Sequence, residues 1–243
     1  MASGKSKVCN DYNLAALYTW QPARTVEGCF NCCYNLSMKL FLSSYYFGNH
    51  PEDFSSLIGE NKNVAIIMNA TDARPIDMHA AYLEKEVAKM ANLELKADEL
   101  DLKNYFNDND SLKTKLKEYG AVWVMGGNVF LLRRAMQQSG FDKLIIDMLK
   151  DDSIVYGGFS AGNCVTGETL HGIELVDNPN DTAEGYNSEI IWDGLGLIDY
   201  SIVPHYKSDH KESAEIEKVV DYYKAHNMPY KTLSDGDAIV ISK

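Results

Sequence analysis

The clearest chemical signal in the chain is a serine between two glycines. An apolar run at 153–157 leads directly into Gly-Phe-Ser-Ala-Gly at 158–162. This Gly-x-Ser-x-Gly pattern is typical of a strand-to-helix elbow, where small neighbours permit a sharp turn that lifts the serine hydroxyl clear of the sheet. We predict that Ser160 is a nucleophile and that the N–H of Ala161, at the start of the next helix, stabilises an oxyanion. The alternative is an ordinary glycine-rich turn.

A second glycine-rich turn follows another apolar run, at 121–125. Gly126, Gly127 and Asn128 separate this predicted strand from an apolar helix that begins at Val129. The turn has neither the complete GxGxxG pattern nor the lysine of a phosphate-binding loop. Beside Ser160, however, Gly127 could supply a second oxyanion N–H.

A serine nucleophile needs a general base, and six histidines are available: His50, His79, His171, His205, His210 and His226. His205 follows the apolar run at 201–204, which places it at the carboxyl end of a predicted strand, where catalytic loops cluster in parallel α/β folds. His79 and His226 lie in predicted helices. We predict that His205 is the base, with His171 and His210 as alternatives.

The third member of such a site is a carboxylate that orients the histidine ring. Asp235 fits best, because it joins two short strand-like runs and can reach the same edge of the sheet. Asp237 lies close behind it, and three acids follow the elbow. The alternatives therefore stay open: Glu168, Asp177, Asp181 and Asp237.

The elements that must position these residues alternate along the chain. From residue 38 onward, apolar strand-like runs alternate with amphipathic helical stretches, as in an α/β fold with a doubly wound, mainly parallel sheet and helices on both faces. The predicted strands are 39–43, 64–68, 93–97, 121–125, 154–156, 201–204, 231–233 and 238–241. Helical spacing predicts helices at 76–92 and 211–226. No linker or repeat divides 38–243, which we predict to be a single domain.

The composition restricts the possible partners. The formal net charge of -12 argues against nucleic acid or an anionic membrane, since binding phosphates needs clustered Lys and Arg. No apolar run approaches the ~18 residues of a membrane helix. Residues 1–37 lack the apolar core of a signal peptide. We therefore expect a cytoplasmic protein that acts on a small peptide or another small molecule; the sequence leaves the oligomeric state unknown.

Residues 1–37 have neither helical nor alternating periodicity and are predicted to be an irregular, dispensable extension, with Met38 as an alternative native start. This segment holds four of the five cysteines. Cys29 and Cys32 form a CxxC, but no second pair follows at zinc spacing, so we predict no metal or redox site there. Cys164 lies one helical turn beyond Ser160 and is predicted to be a small core residue.

Together these motifs resemble the dipeptidase E (aspartyl dipeptidase) family, which is related to cyanophycinases and has a fold similar to class I glutamine amidotransferases. The resemblance covers nearly everything from Met38 on. Four stretches carry it: MGGNVF at 125–130, similar to the family's GGGNTF; GFSAG at 158–162, similar to GWSAGA; PHY at 204–206, similar to PHF; and LSDG at 233–236, similar to LPEG.

The resemblance implies a serine peptidase that hydrolyses dipeptides or short peptides, with N-terminal Asp as one candidate, through an acyl-enzyme on Ser160. It implies His205 as the base and Asp235, in LSDG, as the acid; a second family proposal keeps Asp177 open. No metal or organic cofactor is implied. The alternative functions are a non-peptidase acyl hydrolase or amidase on the same elbow, and a catalytically silent binding protein.

One departure from the family concerns specificity. Members specific for N-terminal Asp have an Arg-bearing GETR stretch shortly after the catalytic histidine, whereas this chain has HKESAE at 210–215. Lysine neutralises a carboxylate only as a flexible point charge. We therefore expect weaker discrimination for Asp. The candidate cations are Lys207 and Lys211, with Arg74, Arg133 and Arg134 as alternatives.

Overall fold

The computed structural model describes residues 38–242. The predicted extension at 1–37, with its CxxC motif, lies outside the described residues, and so does Lys243. The division of the chain into this extension and one domain from residue 38 therefore stays a prediction.

The described residues form two sheets, a mainly parallel one of six strands and a parallel one of two. The strands are β1 (Lys39–Ser43), β2 (Asn63–Ile67), β3 (Lys96–Glu99), β4 (Ala121–Val124), β5 (Val155–Phe159), β6 (Ser201–Val203), β7 (Tyr230–Thr232) and β8 (Ala238–Ser242). Six strands build the main sheet in the order β3-β2-β4-β5-β1-β8, and within it only β8 runs antiparallel to its neighbour. The other two, β6 and β7, pair in parallel as a separate small sheet.

Helices cover both faces of the main sheet. They are α1 (Pro51–Leu57), α2 (Ile76–Asn92), α3 (Asn109–Leu116), α4 (Val129–Ser139), α5 (Phe141–Lys150), α6 (Ala161–Cys164) and α7 (Ser213–Ala225). Alternate side chains of β1 enter different cores: Leu40 and Leu42 belong to the core that includes residues of α3, α4, α5 and α7, whereas Phe41 belongs to the core that includes residues of α1 and α2. Within 38–242, no helix combines the length and apolar content needed to cross a membrane.

The predicted strand at 93–97 is wrong at its start. The chain stays in the last turn of α2 there, because the N–H groups of Leu93 and Leu95 both donate to the carbonyl of Met90. Glu94 then takes a positive φ of 59°, which ends the helix. The alternating leucines at 93 and 95 are typical of a strand, but here they lie at the end of α2, where they pack on the core.

The strand predicted at 154–156 extends further than expected. Strand β5 continues to Phe159, and its glycines pair with both neighbours: Gly157 lies opposite Phe41 and Trp123. A Cβ on Gly157 would overlap the rings of Phe54 and Trp123. The glycines are therefore part of a tightly packed central strand that carries the chain directly to Ser160.

Candidate active site

Ser160 occupies a sharp turn between β5 and α6. Its backbone has φ 52° and ψ -117°, a conformation that is costly for any residue with a Cβ and that is concentrated at functional sites. The turn needs a small residue at Gly162, where a Cβ would overlap the carbonyl oxygen of Val124. The segment thus has the tight strand-to-helix geometry expected from Gly-x-Ser-x-Gly.

The small sheet determines how the chain segments after β6 and β7 meet. Val203 lies opposite Thr232 in the parallel register. Beyond the last paired residues, the N–H of Leu233 donates to the carbonyl of Val203 at 2.9 Å, and the N–H of Tyr206 donates to the carbonyl of Leu233 at 3.0 Å. Because the two segments leave the sheet side by side, His205 and Asp235 become neighbours although they are 30 positions apart.

Three of the predicted residues form one continuous hydrogen-bonded path. The Nδ1 atom of His205 lies 2.7 Å from Asp235 Oδ1, and its Nε2 atom lies 3.1 Å from Ser160 Oγ. A carboxylate accepts only, so Nδ1 carries the proton and Nε2 is free to accept from the serine hydroxyl. Burial lowers the pKa of His205, while the hydrogen bond to Asp235 raises it and His210 lowers it further. The ring is therefore a neutral base at neutral pH.

Ser44 completes this path, although we did not predict it from the sequence. Its Oγ accepts the backbone N–H of His205 at 2.8 Å and donates to Asp235 Oδ1 at 2.8 Å. The residue is fully buried. One hydroxyl thus fixes both the backbone that carries the imidazole and the carboxylate that orients it. The only sequence signal was its place directly after β1, at the same edge of the sheet.

Three of the alternative acids accept hydrogen bonds elsewhere, namely Asp177, Asp181 and Asp237, and the carboxylate of Glu168 is not bonded to His205. Asp177 accepts the N–H of Val129 at 2.8 Å, and Asp237 accepts the N–H of Ser234 at 3.0 Å. Across residues 38–242, Asp235 is the only acid hydrogen-bonded to His205.

The second glycine turn lies against the serine. A Cβ on Gly126 would be 2.9 Å from Ser160 Cβ. Gly127 has φ 149°, and a Cβ there would overlap the carbonyl oxygen of Ala70. In the described part of the chain, no acceptor binds the N–H of Gly127 or of Ala161. Helix α6 has only four residues, so its dipole contributes little and these two N–H groups themselves must act.

A cavity of about 510 Å³ opens beside Ser160. This volume lies within the range of small-ligand sites. Its charged lining residues include both signs: Arg74, Asp177, Asp181, Lys211 and Glu212. Burial raises the pKa of Asp177 to about 7, and the nearby carboxylates of Glu212 and Asp181 add to the rise. The cavity can therefore hold a small polar molecule with charged ends.

Two of the three candidate arginines do not reach this cavity. Arg133 pairs with Asp142 at 2.9 Å, and Arg134 is buried and donates only to backbone carbonyls of the 179–189 segment. Both guanidinium groups thus hold the structure together. Arg74 is the arginine that lines the cavity.

One cluster near the site has metal-binding residue types. Ligand atoms of His205, His210 and Glu212 lie within 4.8 Å of one another. The two imidazole rings, however, stack face to face at 3.8 Å between centroids with planes 8° apart. Their lone pairs lie in parallel planes, so one ion cannot lie in both planes at once. Both ring nitrogens of His205 are also hydrogen-bonded, and the cluster as arranged does not fit a metal.

A serine on a strand-to-helix elbow, with an imidazole in hydrogen-bond reach, is the arrangement of serine hydrolases. The comparison with known families agrees with this class. Residues 41–243 match the model of peptidase family S51. The match spans most of the chain, and the chain belongs to this family.

Similar proteins carry peptidase names. An uncharacterized peptidase of Listeria monocytogenes is 29% identical over 205 residues, covering 83% of this chain and 93% of that protein. A Drosophila melanogaster protein provisionally named alpha-aspartyl dipeptidase is 27% identical over 129 residues, covering 51% of this chain and 50% of that one. A crystal structure of a Listeria monocytogenes protein provisionally named peptidase E has a TM-score of 0.66 at 26% identity, covering 84% and 94% of the two chains. The predicted α/β fold and peptidase function are thereby confirmed.

The partly buried carboxyl of Asp177 leads to a prediction about stability. Its pKa rises from the ordinary 3.8 to about 7 in the folded chain, so the folded state loses stability as the pH rises through this window. Asp177→Asn removes the charge and keeps an oxygen for the N–H of Val129. We expect the variant to be more stable at pH 8 by about 2–4 kcal/mol, a gain in Tm of several degrees. The gain should shrink towards pH 4.

Thermal unfolding of both proteins from pH 4 to pH 8 measures this difference. The matched control is Asp237→Asn, because that carboxylate also accepts a backbone N–H but is exposed. A Tm for Asp177→Asn that lies below the wild-type value at pH 8 would contradict the prediction.

Proposed function

We propose that this member of peptidase family S51 cleaves dipeptides or short peptides through an acyl-enzyme on Ser160, with His205 as general base and Asp235 as the orienting acid. The observation that supports the proposal is the unbroken path from Ser160 Oγ through His205 to Asp235, at 3.1 and 2.7 Å. It begins on a strained elbow and faces a cavity large enough for a dipeptide.

The proposed reaction has two halves. In the first, Ser160 Oγ attacks the peptide carbonyl carbon while His205 Nε2 takes the hydroxyl proton. His205 then gives this proton to the leaving amine as the C–N bond breaks, which leaves an ester on Ser160. In the second half, water attacks the ester, His205 accepts its proton, and that proton returns to Ser160 as the acid product leaves. Asp235 stays ionised and stabilises the imidazolium in each half.

The tetrahedral intermediates carry a negative oxygen that needs donors. We assign this role to the N–H groups of Gly127 and Ala161, because both are free of other acceptors in the described structure and flank the serine. Donors that are fixed before the reaction cost no reorganisation, and one such donor typically contributes about 10²–10³-fold in kcat.

We further propose that Arg74 is the cation that binds a substrate carboxylate, with the side chain of an N-terminal Asp as its partner. Arg74 is exposed and lines the cavity, and it pairs with no acid whose side chain the structure describes, whereas Lys211 pairs with Glu212 at 3.3 Å. Relatives named peptidase E and alpha-aspartyl dipeptidase support this substrate class. The carboxylates of Asp177 and Asp181 line the same cavity and oppose a second negative charge, so the preference for Asp should be modest.

Hydrolysis of Asp-X, Asn-X and Ala-X dipeptides at one salt concentration tests both function and specificity. We expect kcat/KM for Asp-X to exceed that for Asn-X by about tenfold, the value of one charge-assisted hydrogen bond at an open site. Arg74→Gln should remove this preference and leave Ala-X turnover unchanged.

Lys211→Gln is the matched control, since it removes a cation that is already paired. A loss for Ala-X as large as that for Asp-X in Arg74→Gln would rule out a specificity role. If no dipeptide is cleaved while simple esters are, the acyl-hydrolase alternative replaces the peptidase.

A further inference from the structure

The ring of His205 is covered on one face by a second imidazole. His210 stacks on it with 3.8 Å between ring centroids and an interplanar angle of 8°. Tyr45 meets both rings edge-on, with each centroid 5.9 Å away. The side chain of His210 is 17% exposed and lines the cavity, whereas that of His205 is 2% exposed. His210 and Tyr45 therefore cover part of the ring of the proposed base, which also lines the cavity.

The backbone holds His210 in this position. The N–H of Glu212 donates to His210 Nδ1 at 3.3 Å, which fixes the ring from the start of α7. The segment between the two histidines is itself tied down, because Ser213 Oγ donates to the carbonyls of His205 and Ser208 at 3.0 and 2.6 Å. The stack is thus supported by the hydrogen-bonded segment 205–213, which holds the two histidines at a fixed separation.

The geometry matters because hydrogen bonds alone leave the imidazole free to tilt. Asp235 holds Nδ1, but the ring can still rotate about its Cβ–Cγ bond and move Nε2 away from Ser160. A flat ring in face-to-face contact opposes this tilt. It does so without using either nitrogen of His205, both of which are needed for proton transfer.

We propose that His210 is a positioning residue that holds the imidazole of His205 in the orientation joining Ser160 to Asp235. This inference rests on the proposed function. The role belongs to the flat ring of His210 and not to its ability to carry a proton. A planar aromatic residue should therefore replace it, and a branched aliphatic residue of similar size should not.

The test compares three variants: His210→Ala, His210→Leu and His210→Phe. We expect the Ala and Leu variants to lower kcat for a dipeptide by about ten- to fiftyfold with KM changed less than twofold, the pattern of a lost transition-state interaction. His210→Phe should restore kcat to within about threefold of the wild type. The rate at which a fluorophosphonate labels Ser160 should follow kcat across the series, since labelling also needs the base in place.

His171→Ala is the matched control, because this histidine also stacks on an aromatic ring, that of Trp192 at 4.5 Å, outside the cavity. It should leave both rates unchanged. If wild-type hydrolysis depends on Ser160 while His210→Ala keeps its kcat and labelling rate, this inference is wrong and the proposed function stands. If His210→Leu is as active as His210→Phe, the ring contact is not what matters. If the wild type neither cleaves dipeptides nor reacts with the probe, both proposals fail.

Discussion

Replacing Ser160 with alanine should lower kcat for a dipeptide by about 10⁴- to 10⁶-fold, because no other group on the elbow can form the acyl-enzyme. His205→Ala should cost a similar factor, and the double variant should be no worse than either single one, since the residues act as a unit. The fold should survive. Removing the hydroxyl breaks one contact, with His205 Nε2, and leaves the turn's glycines in place.

Steady-state kinetics, Tm and fluorophosphonate labelling together check this prediction. Ser153→Ala is a suitable control. Ser153 lies just before β5, and its exposed hydroxyl donates to the carbonyl of Met148 in α5. Cys164 cannot take over as nucleophile. It is buried, its thiol contacts the carbonyl of Ile202, and burial raises its pKa. Activity of Ser160→Ala above about 1% of wild type would remove the residue from the mechanism.

The sequence was informative wherever the physics was local. The turn that places Ser160 at positive φ requires small residues at Gly158 and Gly162. This requirement is visible in the five consecutive residues 158–162. The central strands β1, β2, β4 and β5 were equally accessible, because buried parallel strands appear as continuous apolar runs. The error at 93–95 arose because alternating leucines suit both a strand and a helix terminus, and only the positive φ of Glu94 distinguishes them.

The sequence was uninformative wherever pairing was long-range. Whether β6 and β7 join the main sheet or form their own depends on contacts between distant segments, and the same pairing decides which acid meets His205. Ser44 lies 161 positions from His205, and nothing in its neighbourhood marks it as a site residue. The sequence also could not show which of the three candidate arginines is free to bind a substrate. That depends on long-range contacts, because backbone carbonyls of distant residues bind the guanidinium groups of Arg133 and Arg134.

Asp235→Asn should lower kcat by about 10³- to 10⁴-fold with little change in KM. Asp235 Oδ1 accepts from both His205 Nδ1 and Ser44 Oγ. If the amide oxygen takes its place, both bonds survive but the imidazolium loses its counter-charge. If the NH₂ group does, His205 must switch tautomer and Nε2 can no longer accept from the serine. Because the carboxylate raises the pKa of His205, its loss should also move the acid limb of the kcat/KM profile to lower pH.

Asp177→Asn is the decisive comparison for this assignment, because Asp177 lines the same cavity but bonds the N–H of Val129. It should retain kcat within about tenfold of wild type while Asp235→Asn does not, since only the latter variant changes the partner of Nδ1. The pH profile separates the two roles further, because a displaced acid limb is expected only when the carboxylate bonded to His205 is lost. If Asp177→Asn loses activity while Asp235→Asn keeps it, Asp177 is the orienting acid. The 2.7 Å contact between His205 and Asp235 is then not required for catalysis.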